Sequence, residues 1–134
     1  MPFDTVNVLV NAAEWAWPEA VKKLFEPRGI SSMVVYDAVE ALDILRHRRI
    51  HVAVLDMDCE ESSGLSTVKI IHSHYPLLPC ILLAREPQQE LLSKALYLDI
   101  FSVIDKPVDM SLLLEQLDRL FRKRYNSSTF EIRY

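Results

Sequence analysis

The sequence predicts an α/β fold: a parallel sheet with helices on both faces. Short apolar runs such as Val52-Ala53-Val54-Leu55 recur along the chain, and amphipathic stretches of helical period separate them. Runs that are apolar throughout, rather than alternating, are typical of strands buried on both faces. One run, His51-Val52-Ala53-Val54-Leu55-Asp56, ends on an isolated carboxylate. Open α/β sheets place their chemistry at that carboxyl edge.

In chain order, residues 6–10 read as the first strand. A helix over about 15–26 puts Ala20, Val21, Leu24 and Phe25 on one face and Glu19, Lys22, Lys23 and Glu26 on the other. Pro18 fits its first turn and Gly29 its exit. A short strand at 33–36 follows, then a helix over 39–48 with Leu42 and Leu45 inward. The strand at 51–56 leads through a loop to a helix over about 65–74 carrying Val68, Ile70 and Ile71. Pro76 and Pro79 bracket the turn into a strand at 80–83. A helix over about 87–97 and a strand at 101–104 come next. The last helix starts after Asp109, an N-cap, and reaches about residue 125, with Leu113, Leu117, Leu120 and Phe121 inward. Residues 1–125 therefore read as one domain and 126–134 as a C-terminal tail or linker stump. The alternation of Phe130, Ile132 and Tyr134 in that tail suits packing on the domain, edge-strand addition or a linker.

Composition excludes several classes. At 134 residues, half of them apolar, the chain holds one packed core. No apolar run approaches the roughly 20 residues of a membrane span. Met1-Pro2-Phe3-Asp4 has no signal-peptide character, so a cytoplasmic protein is expected. A net charge of −4 gives no general reason to expect nucleic-acid binding. Arg119, Arg122, Lys123 and Arg124 sit where they complement a helix dipole. Gly29 and Gly64 are the only glycines. That excludes a Walker A loop, a GxGxxG fingerprint and a G-x-S-x-G elbow. Cys59 and Cys80 lack metal or disulfide spacing, and Cys80 reads as a buried small apolar residue. His47, His51, His72 and His74 are scattered and form no ligand set.

Lys106, before Pro107 at the end of the fifth run, can bring a positive charge to the edge that holds Asp56. With the first strand's end, Val10-Asn11-Ala12-Ala13, these residues form an ordered pattern: Val54-Leu55-Asp56, Gly64, Pro79-Cys80-Ile81-Leu82-Leu83, and Ile104-Asp105-Lys106-Pro107-Val108-Asp109. From about residue 7 to 125 the chain resembles the receiver domain of bacterial two-component response regulators.

The resemblance implies a flavodoxin-like (βα)5 fold, doubly wound, with five parallel strands in the order 2-1-3-4-5. It implies a non-enzymatic signalling role, with a histidine kinase, a phosphotransfer protein or a downstream signalling protein as partner. Asp56 is then the phosphoacceptor, Lys106 the lysine that pairs with it and with the phosphoryl oxygens, and Lys106–Pro107 a cis peptide. Mg²⁺ is the implied cofactor, with Asp56 and the carbonyl of Asp58 as candidate ligands, and Glu14 is a further candidate outside the family's pattern. A face over residues 87–124 is the implied partner or homodimer surface.

The chain also departs from the family. The acidic pair that holds magnesium aligns with Ala12 and Ala13, and the switch Ser or Thr with Ala84. The switch aromatic aligns with Val103; Phe101, two residues away, lies on the same face by strand periodicity. A site of millimolar strength binds with only about 4 kcal/mol. One carboxylate at contact distance contributes a gross interaction of about that size. Losing two predicts weak magnesium binding unless Glu14, Asp58, Glu60 and Glu61 compensate. Arg85 could reach a phosphoryl oxygen in place of the lost hydroxyl. Three readings stay open: an atypical receiver signalling by protein contact with weak or absent phosphorylation; a conventional phosphoacceptor with a rearranged metal site; and a small flavodoxin-like ligand binder or enzyme.

Overall fold

A computed structural model describes residues 6–11, 17–58, 64–127 and 130. Its elements in order are β1 (Val6–Asn11), α1 (Trp17–Phe25), a 3-10 turn (Glu26–Arg28), β2 (Ile30–Val35), α2 (Ala38–His47), β3 (Val52–Asp56), α3 (Gly64–His74), β4 (Cys80–Ala84), α4 (Gln89–Tyr97), β5 (Ser102–Asp105) and α5 (Met110–Tyr125). The five strands form one parallel sheet in the order β2-β1-β3-β4-β5. This is the flavodoxin-like arrangement, and it brings the carboxyl ends of β1, β3, β4 and β5 to one edge.

The sheet separates two apolar layers. Alternate residues of β3 point to opposite sides. Val52 and Val54 join Val21, Phe25, Leu113, Leu117 and Phe121 of α1 and α5. Ala53 and Leu55 join Ala41, Val68, Ile71 and Ala95 of α2, α3 and α4. All five β3 residues are buried. Cys80, 4 % exposed, lies in the second layer, and burial pushes its thiol up to about 12.

Local chemistry sets the boundaries. Asp109 caps α5, its Oδ1 accepting from the N–H groups of Ser111 and Leu112. Asp37 caps α2 by accepting from Glu40 N–H at 2.8 Å, and Glu40 reaches back to Tyr36 N–H. Gly29 leaves the 3-10 turn at φ 70°, the left-handed region that suits glycine. β2 begins at Ile30, three residues before the strand expected at 33–36, and pairs with β1 from Val6↔Ile30 to Asn11↔Val35. Ser31 and Ser32 break its apolar run, but an edge strand needs an apolar face only inward. The first helix, expected from 15, is described from Trp17, and Pro27 converts its exit to 3-10 geometry. Trp15 lies outside the described residues.

The tail adds to the core. Asn126 takes a left-handed conformation at φ 50°, and Ser127 N–H donates to Phe121 O at 3.1 Å. Phe130 is fully buried, edge-on to Phe25 and Phe121 at centroid distances of 5.8 and 4.7 Å. Packed structure thus continues past residue 125, where the sequence suggests a tail or linker.

At the sheet's opposite end His51 is 2 % exposed and its Nδ1 accepts from Asn7 N–H at 3.1 Å. Its ring packs against Phe121 and Tyr125, and the Tyr125 hydroxyl donates to His51 O. Burial, then the Arg49 charge, lowers the His51 pKa from 6.5. Below that pH the unfolded chain takes up a proton that the native chain refuses, so stability falls with pH until the folded pKa is passed. Urea unfolding from about pH 7.5 down to about pH 5.5 is expected to show a loss of at most about 1.4 kcal/mol per unit from this residue. His51→Gln should flatten that slope, and an unchanged slope would assign the loss elsewhere.

Candidate functional site

The carboxyl edge of the sheet gathers three charged side chains. Asp56, the last residue of β3, is fully buried. Lys106 follows β5 directly, and its N–H donates to Ala84 O at 3.0 Å, which fixes where its side chain starts. Its ammonium lies 2.7 Å from Asp56 Oδ2, with only 5 % of the side chain exposed. Oδ2 has no further donor among the described residues. Oδ1 accepts from Asp58 N–H at 2.8 Å. The Lys106–Pro107 peptide is cis.

Asp58 contributes more than its backbone. Its Oδ2 lies 3.2 Å from Lys106 Nζ and accepts from Arg85 N–H at 2.9 Å. One ammonium therefore bridges two carboxylates, an attractive arrangement that keeps the two acids together.

The peptide group of Asp56 is held as firmly as its side chain. Asn11 Oδ1 accepts from Asp56 N–H at 2.6 Å, and Asn11 Nδ2 donates to Asp56 O at 3.0 Å. Met57 N–H donates to Leu83 O at 2.7 Å on the other flank. Beside the site, Asp105 Oδ1 accepts from Glu86 N–H, and Glu86 is held at φ 47°.

Sequence reading singles out Asp56, Asp58 and Lys106, and the structure brings them together. It does not anticipate the Asn11 clamp or the Asp58 carboxylate bonds. Nothing in a lone asparagine after a strand signals a clamp, and Asp58 is weighed for its carbonyl. Ala84 is buried at the end of β4, across from Asp105 in register. Val103 packs partly buried against the layer of α2, α3 and α4. Phe101 requires a correction: it precedes β5 and packs against the opposite layer, with Val108 and Leu114. Strand alternation starts only at Ser102, so the two residues do not share a face. Ala12, Ala13, Glu14, Cys59, Glu60 and Glu61 lie outside the described residues.

Among the described residues, two carboxylates, Asp56 and Asp58, meet at the place where the resemblance implies Mg²⁺. Octahedral magnesium wants hard oxygen ligands. The two carboxylates at hand, Asp56 and Asp58, each direct Oδ2 to the Lys106 ammonium. Among the described residues no group of three His, Cys, Asp or Glu could hold a metal ion, and no helix is long and apolar enough to cross a membrane.

The model of the response regulator receiver domain family matches residues 14–118. No curated protein matches the chain. Among solved structures, the chain is similar to the signal receiver domain of an HD domain-containing protein from Pseudomonas fluorescens Pf-5. That match has 22% identity and a TM-score of 0.82, covering 92% of this chain and 99% of the other. A CheY-like response regulator receiver domain protein from Methanospirillum hungatei JF-1 is 19% identical, with a TM-score of 0.81 and coverage of 92% and 100%. The chemotaxis response regulator CheY4 of Vibrio cholerae is 22% identical, with a TM-score of 0.75 and coverage of 87% and 98%.

Proposed function

Since the chain belongs to the response regulator receiver domain family, we propose that it is an atypical receiver that signals by protein contact and forms little or no phosphoryl adduct at Asp56. The family's general function is two-component signalling, and receivers in general meet histidine kinases or phosphotransfer proteins. The observation that carries the atypical reading is the second carboxylate on Lys106, that of Asp58, beside the Asp56 pairing that the family itself has. Phosphoryl transfer relies on positioning and on neutralising charge, which metal ions largely supply. Here the acidic pair is replaced by Ala12 and Ala13, and Ala84 carries no hydroxyl to donate. Asp56 and Lys106 then act as a standing ion pair that holds one conformation of the edge.

The surface offered to a partner is the one formed by α4, β5 and α5. Leu96 and Tyr97 project from the end of α4 at 83% and 89% exposure, and Leu112 of α5 is also exposed. Arg119, Lys123 and Arg124 frame a groove there of about 710 Å³. Exposed aromatic residues and arginines are enriched in protein interfaces. The same face could seat a second copy of the chain, which light scattering at high concentration would register as doubled mass.

Intact-mass analysis after incubation with acetyl phosphate and Mg²⁺ tests the chemistry. The expected result is no metal-dependent adduct on folded protein. An adduct that forms with Mg²⁺ and disappears in Asp56→Asn would make the chain a conventional phosphoacceptor with a rearranged metal site.

A further inference from the structure

We propose that the Asp58 carboxylate is a built-in anion that occupies an oxyanion site beside Asp56, and that removing it opens this site to phosphate-class ligands. Lys106 Nζ and Arg85 N–H converge on a single oxygen, Asp58 Oδ2, at 3.2 and 2.9 Å. A cationic donor and a backbone amide aimed at one point are the elements that hold oxyanions in proteins. The amide is fixed by its place at the end of β4, and the ammonium by a side chain that is only 5% exposed.

The occupant differs from the donors. The Asp58 side chain is 41% exposed. Ordering an exposed side chain costs entropy, and two charge-assisted contacts offset it. Next to it lies a pocket of about 220 Å³ lined by Met57, Ala84, Pro87 and Leu91 and by the polar residues Asp58, Arg85, Glu86 and Gln88. The methyl of Ala84 leaves room there that an oxyanion's further oxygens could use. A carboxylate tethered two residues from Asp56 competes at an effective concentration of millimolar order or above, so free anions are excluded while it stays.

The signalling consequence rests on the receiver reading of Asp56: a phosphoryl group there would find its nearest donors already taken. The test is independent of that reading. In metal-free buffer, ¹⁵N-labelled Asp56→Asn protein and the double variant Asp56→Asn/Asp58→Ala are titrated with inorganic phosphate. Asparagine at 56 removes the acceptor and its charge. The expected result is a saturable shift of the Arg85 amide and Lys106 Nζ resonances in the double variant, in the millimolar range, and binding weaker by at least about tenfold where Asp58 remains. No saturable shift in the double variant, or equal affinity in both proteins, would overturn the assignment. If the alanine variant loses its dispersed spectrum, Asp58→Asn in the same background replaces it under the same two criteria, since it keeps one acceptor but not the charge. With Asp56 restored, absence of an acetyl phosphate adduct both with and without Asp58 bears on phosphorylation alone and leaves the anion site standing.

Discussion

Replacing Lys106 by methionine is expected to destabilise the fold by about 3–5 kcal/mol, because it strands a buried carboxylate. Asp56 is fully buried, and its Oδ2 has Lys106 as its sole donor among the described residues. Methionine keeps the apolar stem of the side chain, so packing loss adds little. The pair itself need not stabilise, since desolvating both charges offsets much of their attraction. The decisive measurement is a double-mutant cycle by urea unfolding. Asp56→Asn/Lys106→Met should recover much of the loss, with a coupling of about 0.5–3 kcal/mol. If Lys106→Met costs the same with and without Asp56, the lysine acts through its contact with Asp58 or through packing, and the standing ion pair is not what holds the edge.

The second large effect is expected at Phe130. Phe130→Ala should cost about 3–5 kcal/mol, the usual range for removing a buried phenylalanine. The ring is fully buried against Phe25 of α1 and Phe121 of α5. Those two rings belong to the layer that also receives Val52 and Val54 of β3, so the cavity would open beneath the sheet. Thermal unfolding is the simplest reading, with a single transition shifted down by about 10 °C or more for a chain of this size. A loss below about 1 kcal/mol would mean that the ring rests on the surface of an already complete core.

Phe130 also marks a limit of reading from sequence. Its alternation with Ile132 and Tyr134 suits three placements, packing on the domain foremost, and the partner rings decide for Phe130. β3 and β4 are legible because strands buried on both faces are apolar at every position. β2 is half hidden because Ser31 and Ser32 occupy an edge strand that tolerates polar residues. At the site, Asp56 and Lys106 are legible from position: one ends a buried strand and the other precedes a proline at a neighbouring strand end. The Asp58 carboxylate bonds are not, because they depend on where β4 delivers the Arg85 amide, a distance that no local spacing encodes.

The Asn11 clamp bears on how slowly this edge can open. Strand ends normally fray, and their amide protons trade with solvent through small local fluctuations. Where β1 and β3 run out of paired backbone after Val10↔Val54, the Asn11 side chain stands in for a peptide and closes both groups of Asp56. Asn11 is itself buried, so the Asp56 proton is expected to escape to deuterated water more slowly than that of a frayed strand end. Its exchange clock should run slow for a residue that borders a loop, and Asn11→Ala should quicken it.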